Sequence, residues 1–138
     1  MIRTLALDVG QKRIGVAVSD ALNITAQPVQ TYTRSGNVGR DVDYLLGLAA
    51  RYAPCRLLLG LPRNMDGTEG PQAERVRRFA ALLAEKGAGE ILFWDERLTT
   101  AAARQVLLEA DVSRKNRKQV IDKLAATLIL QSYMDSQG

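Results

Sequence analysis

The sequence predicts an α/β fold: a mixed five-stranded sheet, its first three strands an antiparallel meander and its later strands parallel, with helices on both faces. Three observations predict it. Strand-like segments separated by short turns fill the first 33 residues and leave no room there for a helix. From residue 40 onward, helix-period segments alternate with short apolar runs, the pattern of parallel β–α units. The chain has 138 residues, and a domain commonly holds roughly 100 to 200, so one domain spanning residues 1–138 is expected.

Each element has local grounds. Residues 2–8 read as a strand that ends in an acid, residues 9–12 as a turn, and residues 13–19 as the returning strand of a hairpin. Residues 26–33, with Val29, Thr31, Tyr32 and Thr33, make a third strand. Asn37 or Ser35 opens a helix over residues 40–52, where Val42, Leu45, Leu46, Leu48 and Ala49 recur at helical spacing before Pro54 ends it. Residues 56–61 are a continuous apolar run, the mark of a buried parallel strand, and residues 62–71 a polar loop. An amphipathic helix over residues 73–86 carries Val76, Phe79, Ala80, Leu82 and Leu83 and closes near Gly87. Residues 90–94 form another buried strand, leading into Asp95 and Glu96. Thr99 or Thr100 caps a helix to about residue 110, residues 111–118 form a basic connector, and residues 120–134 form the last helix.

Composition then narrows the chemistry. Hydrophobic residues are 46% and charged residues 25% of the chain, a globular balance. The chain contains no histidine, which removes imidazole acid–base chemistry, Ser-His-Asp and Cys-His triads, and zinc sites that need an imidazole. The single cysteine, Cys55, removes intrachain disulfides and cysteine-cluster metal sites. Carboxylates, hydroxyls, Lys and Arg remain, and carboxylates without histidine suit hard cations such as Mg²⁺ or Mn²⁺. Nineteen Lys and Arg against fifteen Asp and Glu give a net charge of +4 and a pI near 9.5, which permits nucleic acid as partner. No apolar run is long enough to span a membrane and the first residues do not read as a signal peptide, so a cytoplasmic protein with no membrane partner is expected.

Three acidic positions stand where an acid is unexpected. Asp8 closes an otherwise apolar strand beside Gly10, Gly15 and the cations Lys12 and Arg13, which together suggest an anion-handling hairpin. Asp95 and Glu96 close the strand over residues 90–94, and α/β sheets place their sites at such strand ends. Neighbouring strand residues face opposite ways, so only one of the two shares a site with Asp8. Glu96 is the expected ligand and Asp95 the orienting group, while a surface ion pair with Arg97 is the plainer alternative. Asp122 lies at the edge of the last helix's apolar stripe, close in angle to Ala126 and Ile129, as a partner for Lys118 or as a ligand. Anions brought together need a cation between them, and two divalent ions about 4 Å apart clamp the attacking and leaving oxygens of a phosphodiester.

Four segments carry a resemblance. Asp8-Val9-Gly10-Gln11-Lys12-Arg13-Ile14-Gly15-Val16-Ala17, Gly60-Leu61-Pro62-Arg63-Asn64-Met65-Asp66-Gly67, Asp95-Glu96-Arg97-Leu98-Thr99-Thr100 and Asp122-Lys123-Leu124-Ala125-Ala126 occur in register over nearly the whole chain and closely resemble the YqgF (RuvX) family. The resemblance implies a ribonuclease-H-like fold, a bacterial cytoplasmic setting, and a nuclease maturing the 5′ end of pre-16S ribosomal RNA. It also implies a relation to Holliday-junction resolvases, with branched DNA as the competing substrate. The family's acidic positions fall on Asp8, the Asp95 and Glu96 pair, and Asp122.

The remaining features fit a nucleic-acid partner, structured RNA first and a ribosomal precursor particle behind it. Asn64, Gly67 and Thr68 lie before a helix N-terminus, where phosphate binds readily, though a turn with a cap explains them equally. Arg97 is a further expected contact. Arg114, Lys115, Arg117 and Lys118 put four cations into residues 113–118, a solvated run or a phosphate-backbone contact. Two other classes compete: an ATP-binding module, which the Asp8-Val9-Gly10 turn resembles but which needs a second lobe, and a non-catalytic nucleic-acid-binding protein of ribosome assembly or transcription. Monomer and homodimer are both open from sequence.

Overall fold

The structure is a computed structural model that describes residues 2–99 and 114–137, with side chains for all of these except 114–123. Its elements are β1 (Arg3–Val9), β2 (Arg13–Ser19), β3 (Ala26–Thr33), α1 (Val38–Ala50), β4 (Cys55–Leu61), α2 (Pro71–Glu85), β5 (Ile91–Asp95), a 3₁₀ turn (Glu96–Leu98) and α3 (Arg114–Gln137). The five strands form one sheet in the order β3-β2-β1-β4-β5. β1–β2 and β2–β3 are antiparallel, whereas β1–β4 and β4–β5 are parallel, so the mixed sheet is the one expected. The hairpin turn requires Gly10, because a Cβ there would stand 2.7 Å from the Arg13 carbonyl oxygen. Pro28 is tolerated because β3 is an edge strand, and the register slips beside it between Val16 and Ala17 of β2.

Alternation along the strands divides the core in two. Leu5 and Leu7 of β1, Ile14 and Val16 of β2 and Leu57 and Leu59 of β4 face α1 and α2, where Val42, Leu45, Val76, Phe79 and Leu83 are buried against them. Ala6, Ala17 and Leu58 face the other way, onto Ala126, Ile129 and Leu130 of α3. Small residues on that face let α3 lie close to the sheet. Ile129 and Leu130 are buried there, each stabilising the fold by about 1.5–3 kcal/mol relative to exposure.

Helix boundaries differ from the sequence-based expectation in instructive ways. Asn37 is the N-cap of α1, its side chain accepting from Arg40 N–H at 3.1 Å, and the helix starts at Val38 rather than residue 40. The basic stretch is not a connector up to residue 118: α3 begins at Arg114, so Arg114, Lys115, Arg117 and Lys118 are helical. Arg, Lys and Gln are good helix formers, and neither Gly nor Pro interrupts residues 114–137, so charge alone did not mark a break. The helix expected up to residue 110 lies outside the described residues, as does Thr100.

One polar cluster ties the hairpin end of the sheet to the helices. Asp41 of α1 is buried, and it accepts from Tyr32 Oη at 2.8 Å, Arg34 Nε at 3.1 Å, and the Ser35 N–H and hydroxyl at 2.9 Å each. Arg34 also donates from Nη1 to the Gly10 carbonyl at 2.9 Å. Burial pushes the Asp41 carboxyl up, but the bonds from Ser35, Tyr32 and Arg34 overcome it and hold the group below the usual carboxylate range. A depressed carboxyl stabilises the fold above its unfolded value, near about 4, and that contribution disappears as pH falls through the folded value. Asp41→Asn is therefore expected to cost about 3 kcal/mol in urea unfolding at pH 7. The variant should also lose less stability than the wild type on acidification below pH ~4.

Candidate active site

The site is built on the C-terminal ends of β1, β4 and β5, which lie side by side because these strands are parallel. Asp8 is the penultimate residue of β1, half-buried, and pairs in register with Gly15 of β2. It shares the strand face of Ala6, which packs on the α3 side of the sheet. The pairing of Leu7 with Leu59 places Gly60 in the next row beside Asp8. Trp94 of β5 pairs with Gly60 in turn.

Glu96 enters this row from outside the sheet. β5 ends at Asp95, and the 3₁₀ turn over Glu96–Leu98 redirects the chain. A Cβ on Gly60 would stand 2.7 Å from Glu96 Oε1 and 2.8 Å from Ile129 Cδ1. The Glu96 carboxylate thus lies directly over Gly60 and against α3, on the sheet face that carries Asp8. A glycine inside an otherwise continuous apolar strand marks such a close approach. That signal is present in the sequence, since Gly60 interrupts the apolar run of residues 57–61.

Asp95 goes the other way. It pairs with Leu61, whose side chain belongs to the α1–α2 face. Its carboxylate accepts from Arg97 N–H at 3.0 Å and from Arg97 Nη2 at 2.7 Å, and so caps the 3₁₀ turn. Chiefly the Arg97 hydrogen bond holds the Asp95 carboxyl below its ordinary range. The Arg97 ion pair therefore belongs to Asp95, and Arg97 also reaches the Met65 carbonyl at 3.4 Å.

The 62–70 loop is closed by its own bonds. Asn64 N–H donates to the Thr68 carbonyl at 2.8 Å, and the Asn64 side-chain amide donates to Thr68 Oγ1 at 2.9 Å. Gly67 takes φ +90°, a left-handed conformation that glycine adopts without strain. Asn64 and Arg97 thus shape the loop beside the strand ends. Lys12 is exposed on the hairpin turn and Arg13 half-buried at the start of β2.

Helix α3 runs antiparallel to β4. Its Ile129 lies over Gly60, near the strand's end, and its Tyr133 ring lies 6.0 Å from the Arg56 guanidinium, near the strand's start. Going backward from Ile129, the helix axis leads toward the C-terminal ends of the parallel strands, where Asp8 stands. Asp122 stands one turn before Ala126 on this helix, and its side chain lies outside the described residues, as do those of Arg114, Lys115, Arg117 and Lys118. Among the described residues, no group of three or more carboxylates or thiols is gathered as a metal cage.

Known proteins resemble the chain at two levels, fold and sequence. A solved structure of T. thermophilus RuvC in complex with Holliday junction substrate matches with a TM-score of 0.55 at 16% identity, covering 99% of this chain and 96% of that one, which shows a common fold. A protein of Halalkalibacterium halodurans named "Putative pre-16S rRNA nuclease" is 53% identical over 137 residues, covering 99% of this chain and 98% of its own. A protein of the same name from Moorella thermoacetica is 53% identical over 137 residues, with 99% and 97% covered. The profile described as RuvX, Holliday junction resolvase, matches residues 2–136, and the chain belongs to the RuvX family.

Proposed function

We propose that this chain is one metal-dependent nuclease domain that hydrolyses phosphodiester bonds in RNA, processing the 5′ end of pre-16S rRNA in a cytoplasmic precursor particle. The observation that carries the reading is the Glu96 carboxylate held over Gly60 on the sheet face of Asp8. Two carboxylates on one sheet face, Asp8 on β1 and Glu96 over the end of the neighbouring β4, in a chain without histidine and with its one thiol at the opposite end of β4, offer an all-oxygen donor set that suits Mg²⁺ or Mn²⁺. The Gly60 cradle fits such a group, since any larger residue would displace the donor. Asp122, from the helix that leads toward the same strand ends, is the third ligand in this reading.

A bound cation would supply Lewis-acid stabilisation of the phosphoryl oxygens and lower the pKa of an attacking water. The chain's own residues have separate tasks. Asp8, Glu96 and Asp122 hold the charge that retains the cation. Asp95 is a positioning residue, because its cap on the 3₁₀ turn fixes the backbone that presents Glu96. Lys12, Arg13, Arg114, Lys115, Arg117 and Lys118 neutralise phosphates, and Asn64 and Arg97 shape the rim. Branched DNA is the second substrate, favoured by the family's description as a Holliday junction resolvase.

Asp8→Asn should abolish cleavage of a pre-16S 5′ precursor and of a four-way junction in Mg²⁺ or Mn²⁺, with an unchanged melting temperature. A wild-type rate in the pure variant would remove Asp8 from the mechanism. If the wild type binds both substrates independently of metal and cleaves neither, the chain is a non-catalytic binder. Gly60→Ala should lower cleavage at least tenfold while substrate affinity holds, since the new methyl meets two side-chain ends that can move aside. Measuring kcat and Kd separately checks this. Replacing Arg114, Lys115, Arg117 and Lys118 together by Ala should weaken binding and flatten its salt dependence by up to about one logarithmic unit per lost phosphate contact. Turnover at saturating substrate should change far less.

A further inference from the structure

A cleft of about 940 Å³ opens on the sheet face opposite Glu96, between the β1–β2 turn, the end of β3, the start of α1 and the exposed side of α2. Its floor is apolar, formed by Val9, Val38, Phe79 and Leu82. Its walls carry five cations, Lys12, Arg13, Arg34, Arg75 and Arg78. Asp41 is the one acid among the lining residues, and its charge is already met inside the fold by Arg34 at 3.1 Å. The cleft therefore presents a concentrated positive charge over an apolar base.

The cations come from four segments, the β1–β2 turn, β2, the β3–α1 connection and α2, and differ in rigidity. Arg34 is fixed by its bonds to Asp41 and Gly10 and by its guanidinium 5.3 Å from the Phe79 ring. Those bonds use Nε and Nη1, two of the three guanidinium nitrogens. Arg75 and Arg78 are exposed on α2; Arg75 donates to Gln72 at 3.0 Å and Arg78 pairs with Glu74 at 2.6 Å, a solvated contact easily exchanged. Planar guanidinium groups around an apolar base match a nucleoside phosphate, whose phosphate takes forked hydrogen bonds and whose ring or sugar covers the floor.

We propose that this cleft binds nucleoside-phosphate units, as a segment of the nucleic-acid strand that flanks the scissile bond. The turn that carries Lys12 begins two residues after Asp8, so a nucleic-acid strand passing over this end of the sheet reaches both faces. The proposal rests on the nucleic-acid reading above and extends it by a second contact surface.

The test measures the affinity of a labelled pre-16S 5′ precursor over a series of salt concentrations for the wild type and for Arg75→Ala with Arg78→Ala. The expected result is a Kd weaker by about tenfold at low salt, and a salt slope smaller by about 1.5 for the two cations. A double Arg→Lys variant should restore the slope. Melting temperatures should coincide, because both side chains are exposed. Adenosine monophosphate, titrated while the Arg34 Nε–H resonance is followed by NMR, distinguishes the source. A shift that the RNA strand abolishes by competition supports the strand assignment, and a shift untouched by the strand overturns it in favour of free nucleotide. Unchanged Kd and slope in the alanine variant, with no Arg34 shift, overturn the cleft and leave the nuclease reading standing. A wild type that neither binds nor cleaves nucleic acid overturns both.

Discussion

The close seating of α3 on the sheet is the constraint from which the rest follows. It is possible only because Ala6, Ala17 and Gly60 present almost no side chain on that face. Ile129 can then press onto β4, and the Glu96 carboxylate fits in the gap that remains over Gly60. A bulkier strip would lift the helix, expose Ile129 and Leu130, and push the carboxylate away from the strand end. The same small residues thus serve stability and the placement of charge.

The two faces of the sheet are unequal for this reason. Toward α1 and α2, large aliphatic side chains interdigitate and form the greater part of the core. Toward α3, a thinner core of small residues brings a helix close enough for polar groups at the strand ends to meet it. The polar cluster around Asp41 holds the larger side together at its open edge, where Arg34 links the hairpin turn, α1 and α2 through Gly10, Asp41 and Phe79. Burying that carboxylate is tolerable because Tyr32, Arg34 and Ser35 all donate to it.

The division of labour between Asp95 and Glu96 illustrates how geometry sorts adjacent acids. Strand alternation already assigns them opposite sides. The 3₁₀ turn sharpens the separation, because Asp95 caps it through Arg97 while Glu96, its first residue, swings over Gly60. Two neighbouring carboxylates thereby acquire different partners: one a guanidinium, the other a sheet face shared with Asp8.

Sequence by itself determined the order of the described elements, the mixed sheet and its hairpin, since turn glycines, strand alternation and helical periodicity are local signals. It also singled out the acids, because an ionised group at the end of an apolar strand is conspicuous whatever surrounds it. The start of α3 was not legible, since a run of cations suits a solvated helix as well as a loop. The tertiary structure decided which of Asp95 and Glu96 lies over Gly60, and it drew Lys12, Arg34 and Arg75 into one cleft. Those juxtapositions join residues more than twenty positions apart, and only the packing of helices on a twisted sheet fixes such distances.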